Sequence, residues 1–214
     1  MRVLITGISR GIGYGLAKYY IQKGYEVIGL GRSNPFRGIE FYEVDVRAFE
    51  KLGKIASKIK NIDLAILNAG VLGEIKELKD WSIRELEDVF DVNVWANKIL
   101  IDELDAKKIV AISSGAGVNG NKGWGGYSLS KCVLNMMVKI YAKEMDKKIY
   151  ALAPGVIETD MVKKVISVNK SKFQSVKRVE AGMIDLERGV KRVVKAIDRL
   201  DEFENGSFVD VREL

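Results

Sequence analysis

Short, mostly apolar runs recur at residues 2–5, 25–30, 40–42, 64–67, 109–112, 149–152 and 207–209. Strands without a polar face are strands buried on both sides, as in a parallel sheet. Between most of these runs lie longer amphipathic segments, at residues 12–23, 49–59, 84–104, 127–145 and 186–200. Parallel neighbours need crossover connections, and amphipathic helices supply them while covering the sheet. The alternation therefore predicts an α/β fold, a doubly wound parallel sheet in three α/β/α layers. No linker, composition shift or fixed-period repeat divides residues 1–214, so a single domain is expected, and that length buries one substantial core. Residues 158–185 fit the alternation least: they are helical in composition, basic and broken by Gly182, which suits a lid.

Charge narrows the range of partners. Lys and Arg number 35 against 29 Asp and Glu, a formal +6, and basic residues gather at Lys163, Lys164, Lys170, Lys172, Lys177 and Arg178. They alternate with Val, Ile and Phe as on a solvated helix face, so no nucleic-acid partner is expected. No run of about 18 uncharged apolar residues occurs, so neither a spanning helix nor a membrane partner is expected. Residues 2–5 pass straight into a turn with no room for a signal peptide, and the lone Cys132 has no partner for an internal disulfide. A cytoplasmic location is the expectation. Histidine is absent, which removes the commonest general base and the commonest metal ligand. Proton chemistry must use other side chains, and no metal is expected.

The first run is followed at once by Thr6-Gly7-Ile8-Ser9-Arg10-Gly11-Ile12-Gly13 and then by a helix pattern. Glycines at such a turn let a diphosphate approach the backbone, while the helix start offers unpaired N–H groups and a favourable dipole. This context makes the segment a dinucleotide site of the Rossmann type, with Gly7, Ser9, Arg10, Gly11, Ile12 and Gly13 around the phosphates. An NAD-selective protein usually carries an acidic residue after the second strand to bind the ribose 2′-hydroxyl. This chain instead reads Leu30-Gly31-Arg32-Ser33. Arg32 is a fork of donors suited to a 2′-phosphate, and Arg10 is a second cation for it. Together they predict NADP(H) in preference to NAD(H).

Tyr127 and Lys131 stand four residues apart on a predicted helix, so both side chains share one face. A nearby ammonium favours phenolate, which predicts a lowered Tyr127 pKa and proton exchange with a carbonyl or alcohol oxygen near neutral pH. Thirteen residues earlier, Ser113-Ser114 ends a strand run before Gly115-Ala116-Gly117, placing a hydroxyl where it can bond a substrate oxygen.

In this order the motifs resemble the short-chain dehydrogenase/reductase family in its compact form, from Thr6 to about Asp210. The glycine loop has that family's T-G-x-x-x-G-x-G spacing, and Leu67-Asn68-Ala69-Gly70 resembles its N-N-A-G motif, with Leu67 replacing the first asparagine. Asn93 within Val92-Asn93-Val94 is similar to the family's catalytic asparagine, and Pro154-Gly155-Val156-Ile157-Glu158-Thr159 completes the set. The resemblance implies that Ser114 orients and polarises the substrate oxygen, that Tyr127 is the general acid/base, and that Lys131 holds the nicotinamide ribose and tunes Tyr127. Asn93 would hold a water in a proton relay. Asp45 and Val46 would meet the adenine, Asn68, Ala69 and Gly70 would line the adenosine, and Pro154, Ile157 and Thr159 would lie against the nicotinamide. A homodimer or homotetramer built through the helices at 84–104 and 127–145 is also implied. Val133, Met136, Met137 and Ile140 offer more apolar surface there than one sheet needs. The family's C-terminal extension over the substrate cleft is expected to be missing, so substrate contacts do not carry over.

The expected function is reversible reduction of a small-molecule ketone or aldehyde to its alcohol by NADPH. Two alternatives stand. One is reduction of a 3-oxoacyl thioester, with the basic 163–178 segment meeting an acidic acyl carrier protein. The other is a non-catalytic NADP-binding sensor or scaffold, against which the complete set Asn93, Ser114, Tyr127 and Lys131 argues.

Overall fold

The computed structural model describes residues 1–168 and 171–214, so Lys170 lies outside the described residues. Seven strands among them form one parallel sheet: β1 Arg2–Thr6, β2 Glu26–Gly31, β3 Glu40–Glu43, β4 Ile62–Leu67, β5 Ala106–Ile112, β6 Lys148–Ala153 and β7 Phe208–Asp210. Their spatial order is β3-β2-β1-β4-β5-β6-β7, the expected doubly wound arrangement. The helices are α1 Gly11–Gln22, α2 Phe49–Ala56, α3 Ile83–Phe90, α4 Ala96–Glu103, α5 Gly125–Glu144, α6 Asp160–Ile166, α7 Ser175–Ala181 and α8 Leu186–Arg199.

Strand side chains alternate between two buried layers. Val3, Ile5, Val27, Ile66, Val110 and Leu152 pack with Leu16 of α1 and Val193 and Ile197 of α8. Leu4, Ile28, Ala65, Leu67, Ile109 and Ala151 pack with Leu52 of α2, Leu100 of α4 and Leu134 and Val138 of α5. Both faces of the central strands are thus dry, which is why they read as apolar throughout, and each buried Leu or Ile contributes about 1.5–3 kcal/mol.

The segment expected as one helix from 84 to 104 stays helical but widens into a π turn at Asp91–Trp95, between α3 and α4. A π turn leaves the normal hydrogen-bond ladder out of step and needs local compensation. Asn97 provides it, its side-chain amide donating to the carbonyls of Asn93 at 2.9 Å and Val92 at 3.4 Å. The start of α3 is secured by a capping box between Ser82 and Glu85.

Residues 158–185 include the two short helices α6 and α7. Thr159 caps α6 by accepting from Val162 N–H at 3.3 Å, and Gly182 terminates α7. Val165, Phe173 and Val176 join Leu72 and Trp124 in a third, smaller apolar cluster, against which Tyr127 packs. Trp124 Nε1 ties the start of α7 down by donating to Ser175 Oγ at 2.8 Å. The basic side chains here have neighbours: Lys163 pairs with Glu158 at 3.2 Å, Lys164 with Glu74 at 2.8 Å and Lys172 with Glu77 at 3.8 Å.

The sheet reverses its direction of winding between β1 and β4, opening a crevice at their C-terminal ends. Thr6, 1% exposed, closes the floor of that crevice. Its Oγ1 accepts from the N–H groups of Asn68 and Ala69, both at 2.9 Å, and Asn68 Nδ2 donates back to Thr6 O at 2.9 Å. Replacing Thr6 by Val keeps the shape but leaves two part-buried donors without their acceptor. The expected cost is about 2–4 kcal/mol, read as a lower denaturant midpoint at unchanged slope, while Thr6→Ser retains most of the stability.

Candidate active site

At this crevice the glycine loop forms a backbone cradle. Gly7 and Gly11 have φ of +74° and +57°, values that favour glycine. A Cβ on Gly13 would lie 2.3 Å from Gly7 O and 2.4 Å from Asn68 Nδ2, so no side chain fits there. Arg10 at the N-cap of α1 is extended and makes no side-chain cap, and the first turn holds no acidic residue. The first-turn N–H groups stay open to an anion, and the cradle fits a diphosphate. Ser9 is exposed, while Ile12 packs toward the core. Thr159 lies over the loop, its Cγ2 3.3 Å from where a Gly11 Cβ would be, and Arg10 reaches toward Asp160 at 3.9 Å.

Arg32 follows β2 and is exposed. Asp45 follows the end of β3, and Val46 beside it is buried against the core. The Asp45 carboxylate is held by Arg47: Oδ1 accepts from the backbone N–H at 3.0 Å and from Nε at 3.2 Å, and Oδ2 accepts from Nη2 at 2.8 Å. These bonds hold the Asp45 pKa at about 2. Arg47 was missed in the sequence; the available signal was a cation two residues beyond the acid at a strand end.

The other end of the crevice gathers Ser114, Tyr127, Lys131 and Asn93. Lys131 is buried at 4% exposure, and its ammonium donates to Ile112 O at 2.8 Å. Burial pushes its pKa down to about 8. The ammonium has three donors, so an ordered acceptor such as a ribose hydroxyl fits beside that bond. Lys131 Nζ lies 5.8 Å from the centre of the Tyr127 ring. The phenol is enclosed although Tyr127 as a whole is partly exposed. Desolvation pushes its pKa up, and hydrogen bonding with Ser114 offsets part of that. The sign is opposite to the one expected from the Tyr127–Lys131 spacing, because burial outweighs an ammonium whose hydrogen bond goes to a backbone carbonyl. Ser114 also accepts from Ala116 N–H at 3.1 Å, which orients its hydroxyl at the strand end.

Asn93 sits in the π turn and is fully buried. Its Oδ1 accepts from Val71 N–H at 2.9 Å, and its Nδ2 donates to Val71 O at 2.9 Å and Ser130 Oγ at 3.0 Å. The side chain therefore clamps the end of the Asn68–Gly70 stretch to α5. A Cβ on Gly70 would lie 3.3 Å from Asn93 Oδ1 and 3.8 Å from Lys131 Nζ, which places this stretch against both residues. Pro154 and Ile157 are buried after β6, and Ile157 packs against Gly189 of α8.

The family model for short chain dehydrogenases matches residues 1–170. A benzil reductase ((S)-benzoin forming) of Bacillus subtilis is 28% identical over 82% of this chain and 82% of its own. A 3-oxoacyl-[acyl-carrier-protein] reductase of Rickettsia typhi is 32% identical over 76% of this chain and 75% of its own. Among solved structures, a short chain dehydrogenase from Escherichia coli CFT073, complexed with NADPH, superposes with a TM-score of 0.79 at 23% identity, covering 98% of this chain and 95% of that one. With a doubly wound sheet, a glycine cradle at the switch point and a family match over most of its length, the chain belongs to the short-chain dehydrogenase family of oxidoreductases.

Proposed function

We propose that residues 1–214 act as one NADP(H)-dependent carbonyl reductase, with Ser114, Tyr127 and Lys131 as the reacting group and Asn93 as its anchor. The observation that carries this reading is the convergence of an enclosed phenol, a serine hydroxyl and a buried lysine at the crevice that holds the glycine cradle. When bound, the nicotinamide cofactor supplies the hydride. Ser114 positions the carbonyl oxygen, and Tyr127 gives it a proton; its raised pKa keeps the phenol in the donor form across the neutral range. Lys131 holds the ribose hydroxyls through its open donors. Gly7, Ser9, Gly11, Ile12 and Gly13 take the diphosphate, Arg10 and Arg32 the 2′-phosphate, Asp45, Val46, Asn68, Ala69 and Gly70 the adenosine, and Pro154, Ile157 and Thr159 the nicotinamide. The NADPH bound by the Escherichia coli structure supports the cofactor, and the two named reductases support carbonyl chemistry. Lys163, Lys164 and Lys172 are at least half exposed in their ion pairs, and exposed pairs are weak, so reduction of a carrier-linked 3-oxoacyl thioester stands as the second reading, supported by the Rickettsia typhi relative. An exposed, free Cys132 suits a reducing cytoplasmic setting, and no helix among the described residues is long and apolar enough to cross a membrane.

The same reading includes a homodimer or homotetramer. Trp95, Leu129, Val133, Met136 and Ile140 leave apolar surface exposed at the start of α4 and along α5. Light scattering at micromolar protein is expected to give a multiple of 23.9 kDa, and a monomer mass would reject it.

Tyr127→Phe is expected to keep the fold and cofactor binding while slowing single-turnover NADPH oxidation by about 10²- to 10⁴-fold, the scale of a lost general acid. Near-normal turnover in that variant would overturn the mechanism. A second expectation concerns pH. Free-enzyme Lys131 loses its charge near 8, so kcat/KM for NADPH should fall as pH rises through that value. Lys131→Met should be slow at every pH and lack this limb; a limb that survives the substitution belongs to another group.

A further inference from the structure

The C-terminal ends of β2 and β3 carry three charges that act on one spot. Gly31 pairs with Glu43, and Val44 N–H donates to Gly31 O at 2.8 Å. Arg32 and Asp45, the next residues, therefore leave neighbouring strands side by side. The glycine loop adjoins them, since Gly7 N–H donates to Leu30 O at 2.8 Å. Arg47, with its side chain 49% exposed, folds back on Asp45, and the more distant carboxylates of Asp88 and Asp91 add to the field that holds it.

A carboxylate offers about four acceptor sites. Arg47 fills three of them, two on Oδ1 and one on Oδ2. An acid that selects NAD must accept from the ribose 2′-hydroxyl, and a bare one repels a 2′-phosphate. Asp45 thus keeps one acceptor site open, on Oδ2, and its charge is already paired with the Arg47 guanidinium. Arg32 and Asp45 alone sum to zero, and Arg47 brings the cluster to one net positive charge. Arg32 itself makes no ion pair among the described residues, so its fork remains available.

We propose that Arg47 is a cofactor-specificity residue that acts through Asp45, masking a carboxylate that would otherwise oppose the 2′-phosphate and leaving Arg32 to meet it. The inference rests on the NADP(H) reading above. It assigns discrimination to a residue outside both the glycine loop and the residue that follows β2.

The test compares equilibrium binding of NADPH and NADH by fluorescence titration, with 2′,5′-ADP and 5′-AMP titrated calorimetrically as fragments. Wild-type protein is expected to prefer NADPH by at least about tenfold, and Arg47→Ala to lower that ratio by about tenfold, the scale of one uncovered like charge near the surface. The double variant Asp45→Asn with Arg47→Ala, which has no carboxylate to mask, should recover most of the ratio. An unchanged far-UV circular dichroism spectrum and thermal midpoint without cofactor show that each variant is folded. An Arg47→Ala ratio within about twofold of wild type overturns the inference, and so does a double variant no better than the single one. Equal wild-type affinities would defeat the cofactor reading instead. That result is separate, because the variants report a change in ratio and not its starting value.

Discussion

The hydroxyl of Thr6 is the small group on which the arrangement of the crevice depends. A parallel sheet that winds in two directions sends the connections after two paired neighbouring strands to opposite faces, and the peptide groups just beyond those strand ends lose their ladder partners. In this chain those groups are the N–H donors of Asn68 and Ala69, and one oxygen on Thr6 accepts from both. Asn68 returns its amide to the carbonyls of Thr6 and Gly7, so the strand end and the glycine loop are fixed together. From Gly70 and Val71 the dependence passes to Asn93, whose amide bonds Val71 on one side and Ser130 on the other. Ser130 precedes Lys131 on α5. The hydrogen bonds of Thr6 and Asn93, joined by the chain itself from Ala69 to Val71, thus tie the glycine cradle to the helix that carries Tyr127 and Lys131.

The fold was legible because burial on two faces leaves a plain trace, apolar runs with amphipathic segments between them, and the strands lie within three residues of where the pattern placed them. The glycine turn and the shared face of Tyr127 and Lys131 were legible from local context, since each is set by a strand end or a helix period, while Ser114 joined them only through the family resemblance. What the sequence did not reveal depends on contacts distant along the chain. The π turn at Asp91–Trp95 has no periodicity of its own; it exists because Asn93 bonds Val71 and Asn97 takes up the displaced carbonyls. Residues 158–185 read as basic and exposed, yet Val165, Phe173 and Val176 cover Leu72 and Trp124, which lie far back in the chain. Spacing alone also gave the wrong sign for the Tyr127 pKa, because a linear pattern shows the distance to a charge but not the loss of water around the phenol.

Enclosure has opposite effects on the two members of the Tyr127–Lys131 pair. Burial disfavours charge, so the phenol keeps its proton more firmly while the ammonium gives one up more readily. An ammonium brought down to about 8 is the group most responsive to a new neighbour, because acceptors placed at its open donors restore the charge. In the proposed reading, binding of the ribose would therefore charge Lys131, and the charged lysine would then act on the phenol beside it.

This division extends across the whole crevice. At the glycine-cradle end stand Arg10, Arg32 and Arg47, and the guanidinium is the side-chain group suited to a fixed positive charge. Asp45 is held at about 2 by Arg47, so it too stays in one state across the neutral range. At the reacting end stand a lysine and a tyrosine, whose proton affinities follow their surroundings, and the chain has no histidine to titrate between them. Constant charge is the requirement for holding a phosphate, and exchangeable protons are the requirement for completing a carbonyl reduction. In the proposed reading the residue types at the two ends of one sheet edge meet these requirements separately, arginines where a phosphate would be held and a buried Tyr–Lys pair where a proton would be exchanged.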